Sequence, residues 1–282
     1  MADDSGSAMR LFADAPALLK AGRYVDLIAE LRRVWDTVDE PALSDAVRDE
    51  LVPCVAESSV DEWLTVAGAD TFGDSLFNLS VLFWTPEGYQ AAAVQAARLA
   101  IEHGSEDAPV ALAQFLLWLG DTVEATDILR RTIDDHAPGL ERAQFLLGRH
   151  FAEEFGRVDE ETRDLLVSAL PTEPDARVPL AKVERGRGDL VAAVQLLSAA
   201  ADTGDPTAAI RLGNLYADDL DDPAAAELAY RRGIELGDPF SAYNLGLLLE
   251  GSGRENESIP LYRWAAAGGD ASAVTRLEQL GA

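Results

Sequence analysis

Ser75 is the residue whose type and setting come nearest to those of a catalytic nucleophile. It stands in the tetrapeptide Gly73-Asp74-Ser75-Leu76, which has the pattern of the nucleophile block of one class of esterases. Such a serine normally follows a β-strand and needs a histidine, supported by a carboxylate, to take its proton. Gly-Asp-Pro occupies the corresponding place elsewhere in the chain, so a repeat explains the tetrapeptide without catalysis. A hydrolase acting through Ser75 is therefore a remote alternative.

The acidic and histidine residues do not form a metal-binding pattern. Residues 218–222 include four aspartates, but Pro223 and Ala229 stand where a calcium loop needs its glycine and its glutamate. No zinc spacing relates the three histidines, which are His103, His136 and His150. No glycine-rich phosphate loop occurs either. The sequence predicts no catalytic residue, no metal and no cofactor, and we expect that the protein is not an enzyme.

The charge balance excludes some classes of partner. The 282 residues include 50 Asp and Glu against 23 Lys and Arg, which gives a formal net charge of −27. Phosphate backbones require clustered cations, whereas residues 49–97 contain eight carboxylates and no Lys or Arg. We therefore expect neither nucleic acid nor a membrane surface as a partner. Because no apolar run is long enough for a membrane span and the N-terminus does not resemble a signal peptide, we expect a cytoplasmic location.

The elements that would position any site are repeated along the chain. Gly204-Asp205-Pro206 recurs as Gly237-Asp238-Pro239, and Gly269-Asp270-Ala271 follows, at steps of 33 and 32 residues. Two apolar segments of helical length lie between successive tripeptides, and no segment alternates with the period of a strand. Glycine can end one helix, aspartate can cap the next, and proline fits its first turn. Each repeat unit is therefore predicted to be a helical hairpin.

The repeat units resemble the tetratricopeptide repeat superfamily, and its Sel-1-like subclass most closely. That pattern places Leu-Gly on the first helix of each hairpin and small and aromatic residues on the second helix. In the last full unit the matching residues are Leu245, Gly246, Leu249, Gly253, Ser258, Tyr262, Ala265, Ala266, Gly268 and Ala273. Small residues mark a close approach of the two helices, so we expect Ala226 to face Gly213, and Ser258 to face Gly246.

The resemblance implies an all-α fold, a right-handed superhelical solenoid with its first helices on the concave face. We predict about seven stacked helical hairpins, followed by a C-terminal capping helix over residues 271–280. Residues 71–282 are assigned to the repeat array and residues 8–70 to divergent N-terminal helical hairpins. Residues 1–7 are polar and acidic and are predicted to be a disordered tail.

The residues beside each Leu-Gly pair are the candidate ligand contacts, because the resemblance implies that they face the concave groove. They are Arg149, Lys182, Arg185, Arg211, Asn214, Tyr243 and Asn244. Cations and amides suit a carboxylate, and the best-known carboxylate clamp of the family uses Lys and Asn on these faces. Ile210 and Val178 stand where such a clamp would have a further lysine, so the match is partial. The alternative is that the cations only neutralise nearby carboxylates such as Glu153 and Asp175.

The sequence favours a non-enzymatic scaffold or adaptor that binds a peptide or protein segment in the concave groove. If the groove cations contact that segment, it carries a carboxylate. An alternative of another class is an acidic inhibitor, such as an immunity protein or a nucleic-acid mimic, which presents its carboxylates to a basic target.

Overall fold

Aspartates begin most of the helices. In the computed structural model, which describes residues 90–102 and 104–281, the carboxylate of Asp205 accepts hydrogen bonds from the backbone amides of Thr207 and Ala208, at 2.8 and 3.2 Å. These amides have no partner within the helix, so the cap stabilises its first turn. The same type of cap is made by Asp159, Asp189, Asp222, Asp238 and Asp270.

Glycines in the left-handed conformation separate successive hairpins. Gly204, Gly237 and Gly269 have φ angles of 99°, 86° and 95°, a region that side chains disfavour and glycine adopts readily. Pro206 and Pro239 then occupy the first position of the next helix, where no backbone hydrogen bond is lost. The helix junctions predicted from Gly-Asp-Pro are confirmed.

The chain divides into two compact units, Met1–Ala143 and Gln144–Ala282. The described part of the first unit contains α1 (Gln90–Glu102), α2 (Ala108–Leu119) and α3 (Thr122–Asp134). Helix α4 (Leu140–Glu153) includes the boundary between the units. The helices that follow are α5 (Glu160–Ala169), α6 (Arg177–Arg187), α7 (Leu190–Asp202), α8 (Pro206–Asp218), α9 (Pro223–Glu235), α10 (Pro239–Gly251), α11 (Glu255–Ala267) and α12 (Ala271–Leu280). A single 3-10 turn, Pro174–Ala176, precedes α6.

Helices that follow one another in the chain pack together. In the first unit α2 packs against α1 and α3, and in the second unit each helix from α5 to α11 packs against the next. We call α4, α6, α8 and α10 the first helices of their hairpins, and α5, α7, α9 and α11 the second helices. The all-α fold of stacked hairpins with a final helix is confirmed for the described residues, in which no strand occurs.

The two helices of a hairpin approach closely where the first helix has glycine. A Cβ atom on Gly213 would lie 2.3 Å from a ring atom of Tyr230, and one on Gly246 would lie 2.4 Å from a ring atom of Tyr262. Both tyrosine side chains are buried, with 4% and 0% of their surface exposed. The facing residues expected from the sequence were Ala226 and Ser258. The structure places a tyrosine, one helical turn later in each case, nearest to the glycine, so the expected facing of Ala226 and Ser258 stays a prediction.

Several predictions lie outside the described residues. They concern Ser75, the disordered tail at 1–7, the divergent hairpins at 8–70 and the start of the array at residue 71. The number of hairpins and these domain boundaries stay predictions. None of the helices in the described part of the chain is long and apolar enough to cross a membrane.

Candidate functional site

Successive first helices of the second unit are joined by polar contacts. From α6, the ammonium group of Lys182 donates a hydrogen bond of 3.3 Å to the backbone carbonyl of Glu153, the last residue of α4. From the same helix, the guanidinium of Arg185 pairs at 2.5 Å with Asp219, just after α8, and lies 3.7 Å from Asp218. Lys182 thus contacts the preceding first helix, while Arg185 contacts the following one.

The next contact is a small amide network. The Asn214 side-chain oxygen on α8 accepts two hydrogen bonds, one of 2.8 Å from the Tyr230 hydroxyl and one of 3.0 Å from the Asn244 amide on α10. Burial raises the pKa of Tyr230 to about 12, so its hydroxyl remains a donor at neutral pH. These bonds fix the orientation of the Asn214 amide.

The last contact joins α10 to the final helix. Glu250 accepts a hydrogen bond from Arg276, with Nε to Oε2 at 3.0 Å, and another of 2.8 Å from the Tyr262 hydroxyl. The guanidinium and the hydroxyl both stabilise the charged carboxylate, so the pKa of Glu250 is lowered. We call the contacts from Lys182 to Arg276 the first-helix ladder.

Arg211 shares the repeat position of two ladder residues but has no acidic partner among the described residues. It occupies the same repeat position as Asn244 and Arg276, seven residues after the glycine of its Gly-Asp pair. Asn244 and Arg276 both reach back to the preceding first helix. The repeat register predicts that Arg211 projects toward α6, where Lys182 occupies the position equivalent to Asn214. Within the described residues, neither Arg211 nor Lys182 forms an ion pair with a carboxylate.

Two of the predicted ligand-contact residues, Arg149 and Tyr243, make contacts that are not part of the ladder. The Arg149 guanidinium lies 5.1 Å from the ring centroid of Phe145, on its own helix, which is a cation–π arrangement. Tyr243 packs its ring 5.8 Å from that of Tyr262, within the cluster that joins α10 to α11. The structure therefore brings Lys182, Arg185, Asn214 and Asn244 into the ladder contacts, with Arg149 and Tyr243 in other contacts.

A cavity of about 580 Å³ opens beside the amide network, between α8, α9 and α10. Asn214 and Asn244 supply its amides, Leu247 and Leu248 are among its apolar residues, and Asp218 supplies a carboxylate. None of the described residues that line it is cationic. The ladder cation Arg185 lies next to this cavity through Asp218, but it does not line the cavity.

Sequence reasoning missed Tyr230 and Asp218 as members of the site. Tyr230 matches a buried repeat position, where phenylalanine would pack equally well. A buried tyrosine usually has a partner for its hydroxyl, and that was the available signal. In the sequence, Asp218 belongs to an acidic turn that is expected to be solvated. Its place on the cavity wall depends on how α8 packs beside α10, which no local pattern shows.

No three histidine, cysteine or acidic side chains converge as metal ligands within residues 90–102 and 104–281. No family model and no curated protein matches the sequence. The comparison with solved structures, in contrast, finds clear neighbours.

A Sel1 repeat protein from Oxalobacter formigenes is 16% identical, with 95% of this chain and 89% of that chain aligned and a TM-score of 0.55. A protective antigen of uropathogenic Escherichia coli that displays an SLR fold is 19% identical, over 97% of this chain and 67% of that one, with a TM-score of 0.55. PilW, a type IV pilus biogenesis factor, is 14% identical over 73% and 98% of the two chains, with a TM-score of 0.62.

These identities are low, so the neighbours establish the fold alone. The protein is an all-helical repeat protein. Its repeats have the tetratricopeptide-like, Sel1-like fold, as the resemblance in its sequence predicted.

Proposed function

We propose that the second unit is a protein-interaction module that holds a peptide or protein segment along the first-helix ladder. Two general features support this function. Stacked hairpins present an extended surface to which one segment can bind across several repeats, and proteins of this fold typically act as interaction scaffolds. We further propose that the protein has no catalytic activity and takes neither nucleic acid nor a membrane as its partner. Its cytoplasmic location stays a prediction.

We infer that the bound segment carries a carboxylate, which contacts Lys182 and Arg211. The single observation behind this inference is that both cations lack an acidic partner in the described residues, although the chain has 50 acidic residues and only 23 Lys and Arg. Arg185 is less available, because Asp219 already pairs with it. Glu153 offers Lys182 only its backbone carbonyl, which supports an acidic ligand over direct pairing with this neighbour.

The placement of α6 and α8 is compatible with one ligand. Both helices pack against α7, and the Arg185 side chain of α6 reaches Asp219 just after α8, so long side chains from the two helices can reach one bound segment. A hydrogen bond to a charged group contributes about 1.5–3 kcal/mol. Loss of both contacts should then weaken binding by roughly a hundredfold or more.

The test is a peptide array synthesised in two forms, one with free C-terminal carboxylates and one with amidated C-termini. The tightest peptide is titrated against the wild type and against the double variant Lys182→Ala/Arg211→Ala. The matched control is Arg232→Ala/Arg263→Ala, which removes the same charge from exposed residues of α9 and α11. We expect a loss of about a hundredfold in the first variant only. Equal affinities for both variants, or no preference for the free carboxylate, would contradict the carboxylate contact.

A further inference from the structure

We propose that the cavity between α8, α9 and α10 binds an apolar side chain of the docked segment. A Lys or Arg of the same segment, no more than two positions from the apolar residue, contacts Asp218. This inference rests on the proposed function, because it assumes that the second unit binds a peptide. The residues that line the cavity are different from the two cations, Lys182 and Arg211, and they determine which kind of segment fits.

The apolar part of the cavity is suited to a side chain. The whole cavity, which is open to solvent, has a volume of about 580 Å³ and so has room for one side chain. Leu247 lies on the cavity wall with 42% of its surface exposed, although it belongs to a helix whose neighbouring leucines are packed. Covering Leu247 and Leu248 with an apolar group would remove that surface from water.

The amide network is oriented to bind a peptide group. The Asn214 oxygen already accepts from Tyr230 and Asn244, which directs the NH₂ of Asn214 and the oxygen of Asn244 away from these bonds. Neither the Asn214 NH₂ nor the Asn244 oxygen has a hydrogen-bond partner in the described residues. A peptide group has one N–H donor and one carbonyl acceptor, so it can satisfy both atoms at once.

Asp218 determines which charge the bound segment carries beside its apolar residue. Its side chain is 66% exposed, and its ion pair with Arg185 is long, at 3.7 Å, because Asp219 takes that guanidinium at 2.5 Å. The Asp218 carboxylate can therefore accept hydrogen bonds from a ligand cation. A ligand carboxylate would be repelled here by Asp218.

Spacing follows from the geometry of an extended chain. Side chains two positions apart lie on the same side of an extended segment, at about 3.3 Å per residue. The amide network, Leu247 and Asp218 border one cavity, so the apolar and basic side chains of the segment must be near neighbours. A segment such as Leu-Ser-Lys therefore fits the cavity better than one in which the two residues are far apart.

The experiment is selection from a display library of random eight-residue peptides on the full-length protein. We expect enrichment of an apolar residue with Lys or Arg within two positions. Selection is repeated with Asp218→Lys and with Asp202→Lys, an exposed residue outside the cavity that gives the same change of charge. The basic preference should disappear only for Asp218→Lys. The best wild-type peptide should bind that variant about five- to tenfold more weakly at low salt, since an exposed ion pair is replaced by repulsion.

Three outcomes separate this inference from the proposed function. Selected peptides without a basic residue, or equal affinities for wild type and Asp218→Lys, would overturn the cavity assignment. If those peptides lose affinity only with Lys182→Ala/Arg211→Ala, the proposed function stands and the cavity inference falls. If no peptide is enriched on a wild-type protein that is folded by circular dichroism, the proposed function itself fails.

Discussion

Replacing Gly213 by alanine tests how the hairpins are packed. Gly213 lies within α8, and the new methyl group would lie 2.3 and 2.4 Å from the Cε1 and Cδ1 atoms of Tyr230. Real Cβ atoms do not approach other atoms so closely, so either the ring or the helix must move. Tyr230 is buried and its hydroxyl is bonded to Asn214, which leaves the ring little freedom to shift.

Two opposing effects set the magnitude. Alanine is a better helix former than glycine by about 1 kcal/mol, which stabilises the variant. Overpacking a buried site costs about 1–3 kcal/mol, and the severe overlap with a rigid ring places this case near the upper end. We therefore expect Gly213→Ala to lower the free energy of unfolding by about 2 kcal/mol.

The assay is equilibrium unfolding in urea, followed by circular dichroism. The matched control is Gly251→Ala, at the end of α10, where a Cβ atom would meet nothing within 4 Å. In the control only the helix propensity changes, so its unfolding free energy should rise by as much as 1 kcal/mol. The two substitutions are chemically identical, but we expect them to change the free energy of unfolding in opposite directions.

A second substitution isolates the cause of the effect. In Tyr230→Ala the whole ring is absent, so the methyl group of Gly213→Ala should cost much less in that background. Opposite changes in unfolding free energy for Gly213→Ala and Gly251→Ala, together with this non-additivity, would support the close approach of Tyr230 to Gly213. If Gly213→Ala stabilised the protein as much as Gly251→Ala does, the tyrosine would not pack against this glycine and the reasoning would be refuted.

Two further predictions concern charge. Self-repulsion at a net charge of −27 should be screened by salt, so the melting temperature should rise between low salt and about 1 M, and a flat profile would contradict this. Hydrogen bonds from Thr162 and Arg157 lower the pKa of Asp159 to about 2 from 3.8, so the stability it contributes is present above about pH 4 and is lost as the pH falls toward 2. Asp159→Asn keeps a capping oxygen without the charge, so its urea midpoint should fall less than that of the wild type between pH 5 and pH 3; equal losses would show that this carboxylate does not matter.

The ends of the helices were predictable because their signals act over a few residues. A cap such as Asp238 bonds the amide of Ser241, three residues later, and Gly237 ends the preceding helix through its own backbone angle. The periodic apolar residues and the repeat step then imply hairpins that must bury their apolar faces against their neighbours. The all-helical repeat fold follows from these local patterns, whereas the role of the seven candidate residues as ligand contacts stays a prediction.

The partner of each candidate residue, in contrast, depends on how hairpins stack. Lys182 and Arg185 are three residues apart on the same helix, yet one contacts the carbonyl of Glu153 and the other pairs with Asp219. Likewise, only the packing of α9 against α8 places the Tyr230 hydroxyl on Asn214. Contacts of this kind join different helices, and a shift of one residue in register would replace every partner. The tertiary structure therefore decided which cations remain unpaired and where the cavity lies, because no local pattern specifies the distance between two helices.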